Sequence, residues 1–472
     1  MKKLFILILS CILFISCKSE KQYEKVVTPN IEACDWISSY HWIKKTFEEN
    51  DAGFQWVIEE KGMEAYQQFC DSVEQEIRYA KDIFECHDIL RDWGKFFRKG
   101  HFGISLNVAS ASSDTILEPE TVNYTLQTIS EQSEKTNDKM VGIWSSPPYK
   151  IGIVKDTIKS GRKYVGFIID SEVLEWKEGQ VKLEIFTRDN QLFAHFYMRD
   201  YSVERRNVAL ESEVELHVGN MLFINNLKGD TLEQNLLGAS KPLFYKLSEQ
   251  TTLLRIPSFN SDQTKLINGL IEENRPTILS HQNLIIDLRG NGGGADRSWR
   301  EIVPLIYTNP IKTVGVEFLS TSLNRKYLKD NMSFVQKLFS RKFLKKMDNN
   351  DGEFVRRDST YITELDEVLP TPQNVIVLVD ELCASSVEQF LLAAQQSKKV
   401  EIYGNQTFGA LDVSNVANVV SPDKCFALAY CTSRTLRPKS NRIDDIGIMP
   451  DFEINDSIPK CQWISFVLDR IE

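Results

Sequence analysis

The chain has no Cys-x-x-Cys pair, no clustered histidines and no run of basic residues. Its nine cysteines are irregularly spaced over 472 residues and its six histidines are scattered, so the close spacing of zinc ligands is missing. The 56 basic residues (Lys plus Arg) are outnumbered by 66 acidic ones, for a formal charge of −10. A diffuse acidic surface repels phosphate backbones, which argues against nucleic acid as a partner. Nor is there an apolar run of the ~20 residues that a membrane-spanning helix needs. What is there is ordinary: 42% hydrophobic and 26% charged residues, the composition of a globular protein rather than a disordered or coiled-coil one. At ~100–200 residues per domain the length corresponds to about three domains, each able to bury a core.

The longest apolar run lies at the N-terminus. Lys2 and Lys3 precede it, and Leu4 to Ile15 is almost uniformly apolar. That is the length of a secretory h-region and too short to span a bilayer. It ends at Phe14-Ile15-Ser16-Cys17, followed by the polar Lys18-Ser19-Glu20. This resembles a bacterial lipobox, in which a small residue precedes a Cys that is acylated and becomes the mature N-terminus, although Phe14 stands where Leu is usual. The resemblance implies a lipoprotein signal peptide over residues 1–17 and lipidation at Cys17. The chain would then be tethered to a membrane of the bacterial cell envelope, on its periplasmic or surface side. The other reading is a plain secretory signal. Setting Cys11 and Cys17 aside, an odd number of cysteines remains at irregular spacing. That is poor ground for a disulfide scaffold, and they read as buried small hydrophobes.

Residues 18–110 read as a helical domain. Trp36, Ile37, Tyr40 and Ile43 recur with near-helical spacing, as do Tyr66, Cys70, Val73 and Ile77, and then Ile83, Leu90 and Trp93. A strand-like stretch, Phe102 to Leu106, follows. Residues 111–244 open with a polar linker and change to alternation with turns at Gly161 and Gly179, the pattern of a small antiparallel β barrel or sandwich. In residues 245–472 the apolar runs become unbroken: Leu253 to Ile256, Leu284 to Leu288, Val375 to Val379 and Val400 to Tyr403. Helical stretches separate them, so an α/β domain with a mostly parallel sheet and covering helices is expected. Chemistry in such folds sits on loops leaving the strand C-termini.

Three loops stand out. Asp287-Leu288-Arg289-Gly290-Asn291-Gly292-Gly293-Gly294 follows a buried strand, and its glycines let backbone N–H groups face a cavity, as an oxyanion requires. It reads equally as a Gly-rich turn, and Gly290-x-Gly292-x-x-Ala295 fits a dinucleotide fingerprint weakly. The second loop, Asp380 to Phe390, puts Ser385 and Ser386 at a strand-to-helix junction. A hydroxyl is exposed there as a nucleophile, or it caps the helix in a box with Glu388. The third, Lys99-Gly100-His101-Phe102-Gly103, carries a histidine between glycines at a helix-to-strand change. A lone histidine of this kind is either structural or a base.

Taken together, these loops resemble the C-terminal-processing (tail-specific) serine peptidases, with tricorn-like and retinoid-binding-protein-like relatives. The likeness covers about Thr251 to Glu453 plus Gly100-His101. It rests on Leu253 to Phe259, on Asp287-x-Arg289-x-Asn291-x-Gly293-Gly294, on Ala384-Ser385-Ser386-Val387-Glu388, on Thr407-Phe408-Gly409 and on Asp444-x-x-Gly447-Ile448-x-Pro450-Asp451. It implies a ClpP/crotonase-like catalytic domain, Ser385 as nucleophile, and backbone N–H groups of Gly292, Gly293 and Ser386 around an oxyanion. Where one branch of the family places a general-base Lys after Phe-Gly, this chain has Ala410. The tricorn-like branch uses a His from a Gly-His element instead, which implies His101, with Asp444 orienting the imidazole directly or through a Ser. Asp444 reads otherwise as a surface ion pair with Arg442.

The expected function is hydrolysis of peptide bonds in a peptide or protein substrate, with no cofactor and no metal. No clear PDZ unit is present, so tail specificity is not implied. Two other readings compete: a catalytically inactive ligand- or peptide-binding protein on the same scaffold, and a dinucleotide-dependent oxidoreductase built on the Gly-rich loop.

Overall fold

The computed structural model describes residues 34–106, 119–156, 159, 161–188, 191–199, 201, 203–219, 221–225, 232–357, 360–455 and 457–472. The signal segment, Cys17 and most of the polar linker lie outside the described residues.

The C-terminal part is built on a six-stranded sheet in the order Leu243–Lys246, Thr251–Arg255, Asn283–Asp287, Asn374–Val379, Val400–Gly404 and Phe452–Glu453. The first pairing is antiparallel and the others are parallel. Both faces are covered, which is why the strand sequences are unbroken apolar runs. Alternate residues go to opposite sides. Leu254, Leu284, Ile286, Val375 and Val377 pack with Ile267, Ile271, Phe390 and Leu391 from helices Thr264–Ser280 and Ser386–Ala394. Leu253, Ile285, Ile376 and Leu378 pack with Trp463, Ile464 and Val467 of the last helix, Trp463–Ile471, and with Leu236.

Residues between Gly142 and Asn225 form a closed barrel of eight antiparallel strands. Trp144 pairs with Asn225 to close it. Alternation puts Trp144, Ile151, Phe167, Leu183 and Phe223 inside.

The N-terminal helices Trp36–Asn50, Phe54–Lys61, Met63–Tyr79 and Ile83–Gly94 do not stand alone. They pack on a second, antiparallel sheet whose long strand Phe426–Thr435 pairs with Gly103–Leu106, Val316–Leu319 and Val413–Val420. Tyr40, Phe47, Trp93 and Phe97 share one core with Ala417, Phe426, Leu428 and Tyr430. The Phe47 and Phe97 rings are 4.4 Å apart. Truncating a fully buried aromatic in such a cluster costs about 3–5 kcal/mol. The strand Gly103–Leu106 is thereby fixed against the C-terminal part of the chain, and His101 sits at its entrance.

One cysteine expectation is corrected. Cys34 and Cys425 are joined in a disulfide across a sequence separation of 391. Spacing along the chain gave no hint of it, because the pairing is set by how the first helix packs on the second sheet. Cys70, Cys86, Cys383 and Cys431 are free and buried.

Candidate active site

The nucleophile loop begins where the strand Asn374–Val379 ends. Asp380 accepts the Gly290 N–H at 2.8 Å and the Leu382 N–H at 3.2 Å, so its carboxylate staples this loop to the Gly-rich one. Ala384 N–H donates to the Asn291 carbonyl at 3.3 Å. Ser385 then takes φ 58°, ψ −115°, a region that L residues rarely adopt, and the helix Ser386–Ala394 starts directly after it. Gly293 lies against this turn. A Cβ there would stand 2.6 Å from the Ala384 carbonyl oxygen and 2.8 Å from the Ser385 Cβ, so only glycine fits.

Glu388 does more than close a helix cap. Its buried carboxylate accepts the Ser385 N–H at 3.0 Å, the Gly409 N–H at 2.8 Å, the Ala410 N–H at 2.9 Å and the Thr407 hydroxyl at 2.6 Å. It ties the nucleophile turn to loop 407–410, and burial pushes its pKa up despite these donors. The three-residue spacing from Ser385 was a visible signal, but it reads as a cap and does not reveal the second loop.

His101 has φ 54° and approaches from the other side. Its Nδ1 lies 2.6 Å from the Val413 carbonyl oxygen. A carbonyl can only accept, so Nδ1 carries the hydrogen and, in the neutral ring, Nε2 keeps its lone pair. The loop is clamped in place. Arg98 pairs with Asp51 through contacts of 2.8 and 2.5 Å and donates to the His101 carbonyl at 3.1 Å. Lys99 N–H donates to Asp445 at 2.7 Å. Burial, and then the Arg98 charge, hold the imidazole pKa below its ordinary value, although the Val413 carbonyl works the other way. Gly100 packs on Ala410: a Cβ on Gly100 would stand 2.5 Å from the Ala410 Cβ.

Two expected roles need correction. Asp444 is buried, and Arg442 pairs with Asp445 and Glu60 instead. Nor does it meet the imidazole. Its oxygens accept the N–H groups of Leu411, Asp412 and Val413 at 2.6, 2.7 and 3.0 Å. It connects to the ring only through the backbone of Val413, neither directly nor through a Ser. Asp412 reciprocates by accepting the Ile443 and Asp444 N–H groups at 2.6 and 2.8 Å. Burial, and then the neighbouring Asp412 charge, push the Asp444 pKa up to about 6.

Gly293 is the second correction. Its N–H donates to the Asn291 side chain at 2.9 Å and is spent inside the loop. The Gly292 and Ser386 N–H groups have no partner among the described residues. The Ser386 hydroxyl donates to Asp296, a carboxylate whose pKa is raised by burial. Sequence reasoning missed Asp296 and Val413, and it read Glu388 only as a helix cap.

Ser385 and His101 line one cavity of about 530 Å³, together with Asp296, Gln389, Arg357 and Arg437. Three of the seven non-glycine residues with positive φ among the described residues, His101, Ser385 and Asn415, line it. Strain of this sort gathers at functional sites. The dinucleotide reading finds no support, because the Gly-rich loop leads into a 3₁₀ segment, Asp296–Ile302, rather than the α-helix N-terminus that would face a pyrophosphate.

Residues 250–454 match the model of Peptidase family S41. The chain carries an S41 peptidase domain. The match covers 205 of the 472 residues, so it makes the C-terminal part of the chain similar to the serine peptidases of that family. Two solved structures share the fold. Mature CPAF is 13% identical, with 92% of this chain and 96% of that chain covered and a TM-score of 0.50. A CPAF point mutant is 12% identical over the same shares, with a TM-score of 0.51. No curated protein matches the chain. Ser385, Glu388, Asp444 and the Gly-rich loop all fall inside the matched S41 domain, whereas His101 precedes it.

Proposed function

We propose that this chain is an envelope-bound serine peptidase in which Ser385 attacks the peptide carbonyl and His101 is the general base. The observation that carries the reading is that Ser385 and His101 line one cavity, with the ring's Nδ1 committed to Val413. A serine hydroxyl needs a base with a pKa near the working pH, and a half-buried neutral imidazole with a free Nε2 meets that need. As the hydroxyl oxygen bonds to the carbonyl carbon, Nε2 takes its proton and the carbonyl becomes an oxyanion. The Gly292 and Ser386 N–H groups are the donors for it. One such donor is worth ~3–4 kcal/mol of barrier. The imidazolium then gives the proton to the leaving amine, and water attacks the acyl-enzyme with His101 again as base. Ala410, at the position of the family's Lys, leaves this work to the imidazole.

The apolar run before Cys17 supports export and lipidation, and the Cys34–Cys425 disulfide supports an oxidising compartment. The division at residues 17, 110 and 244 and the ClpP/crotonase-like kinship of the sheet domain belong to the same proposal. The parallel strands with chemistry at their carboxyl ends support that kinship.

The test is labelling with a fluorophosphonate, followed by mass spectrometry. Adduct formation at Ser385, lost in His101→Ala, is expected. An unlabelled Ser385 in a folded protein overturns the reading and favours a binding protein on the same scaffold. The inward-turned Gly293 N–H is the observation on that side.

A further inference from the structure

We propose that the helix pair Phe334–Phe339 and Arg341–Asp348 docks on an anionic phospholipid bilayer, its apolar residues among the headgroups and its cations on their phosphates. The first helix buries none of its residues. Phe334 is 81% exposed, Val335 58%, Leu338 60% and Phe339 86%. At 100° per residue these four side chains span an arc of about 140°, one apolar face. A contiguous apolar patch of this kind on a soluble protein marks an interaction surface. The helix keeps its shape without burial, because Ser333 and Gln336 cap it reciprocally at 2.8 and 3.3 Å.

The second helix anchors the first to the body. Met347 is buried with Phe318 and Val355, and the Phe343 ring meets Phe318 edge-on at 5.4 Å. Its other face exposes Arg341, Lys342, Lys345 and Lys346. With Lys337 these are the only charged residues from Asn331 to Met347, in a chain whose net charge is −10. None of the five makes an ion pair among the described residues. An apolar face flanked by unpaired cations suits a lipid surface: hydrocarbon takes the phenyl rings and phosphates take the lysines. A second copy of the chain fits worse, since a symmetric contact would bring two such basic patches together. The element docks and does not span, as no helix among the described residues is long and apolar enough to cross a membrane. The contact is separate from any acyl chain on Cys17 and does not depend on turnover at Ser385. Phe318 also lines the active-site cavity, so the docked helices lie directly behind its wall.

Residues 18–472 contain every described element and carry no acyl group, so this chain is sedimented with vesicles. One set is phosphatidylcholine alone, and the other is phosphatidylcholine mixed with phosphatidylglycerol. Binding to the anionic vesicles only, weakened by molar salt, is expected. The pair Lys342→Glu and Lys345→Glu lowers partitioning by about thirtyfold or more, and Phe334→Ser with Phe339→Ser abolishes it. All four residues are exposed, so circular dichroism and the thermal midpoint stay at wild-type values. Absent binding to the anionic vesicles, equal binding to both kinds, or binding unchanged in both variants overturns the proposal. So does a dimer in the ultracentrifuge that Phe334→Ser with Phe339→Ser dissolves while vesicles stay unbound.

Discussion

The His101 imidazole donates from Nδ1 to the main-chain carbonyl of Val413, 2.6 Å away. A carboxylate in that place would stabilise the imidazolium strongly and raise its pKa. A carbonyl holds the same tautomer with less charge, and burial and Arg98 then pull the pKa down. The site is therefore set up to keep this imidazole neutral.

A pH dependence follows with a definite sign. With His101 as the proposed base, the working form is the neutral ring, so kcat/KM should climb as pH rises through the folded-state pKa and be flat above it. That limb should lie below 6.5, the ordinary histidine value. Stability moves the same way. Below 6.5 the unfolded chain binds a proton that the folded ring resists, so His101 favours folding above that pH and costs stability as pH falls. A kcat/KM profile whose acid limb sits above 6.5 would contradict this environment.

Ser385 holds a backbone conformation natural only to glycine, φ 58° and ψ −115°. For other residues such geometry costs on the order of 1–3 kcal/mol. Ser385→Ala and Ser385→Gly should both abolish turnover. Only the glycine variant should gain stability, by about 1 kcal/mol in denaturant unfolding. Equal midpoints for the two would show that the turn is unstrained.

The residues that could be read in advance are those whose chemistry is tied to side-chain type. Unbroken apolar strands announced a sheet covered on both faces, and Ser385 and His101 each stood in an unusual local setting. Val413 was invisible because it contributes a carbonyl, which every residue possesses. Gly293 shows the converse: its flexibility was legible, whereas the direction of its N–H depended on the Asn291 side chain. The second sheet escaped notice because the long strand Phe426–Thr435 recruits two of its three partners, Gly103–Leu106 and Val316–Leu319, from distant segments. The same strand positions both Cys425 and the carbonyl-holding loop.

Asp444 is a positioning residue, and its removal should be felt at the imidazole. Asparagine has one acceptor oxygen, so Asp444→Asn leaves at least one of three buried N–H groups unpaired, at about 1–3 kcal/mol. In the native protein the folded state holds a proton on Asp444 up to about pH 6, well above the ordinary aspartate value of 3.8, so its contribution to stability falls as pH rises between those limits. The asparagine variant lacks that slope, and its deficit should be largest in acid and shrink as pH rises through about 6. Its kcat/KM should fall about tenfold or more, with a displaced acid limb, because the Val413 carbonyl is no longer held. A loss of stability with an unmoved pH profile would reduce Asp444 to a structural part.

The proposed reading sets Ala410 where the other branch of the family carries a lysine, and placing a lysine there should fail. Ala410 is buried, its N–H is held by Glu388, and the Gly100 backbone closes over its methyl group. A four-carbon stem can be placed there only by pushing out loop 99–101, which carries the base. An unpaired ammonium beneath it adds a desolvation cost of several kcal/mol. Ala410→Lys should therefore be less stable than wild type and lose activity, and the double variant His101→Ala with Ala410→Lys should remain as inactive as His101→Ala. Rates on a denatured protein substrate decide the matter. Recovered turnover in the double variant would mean that the cavity accepts an amine as base and that the imidazole is dispensable.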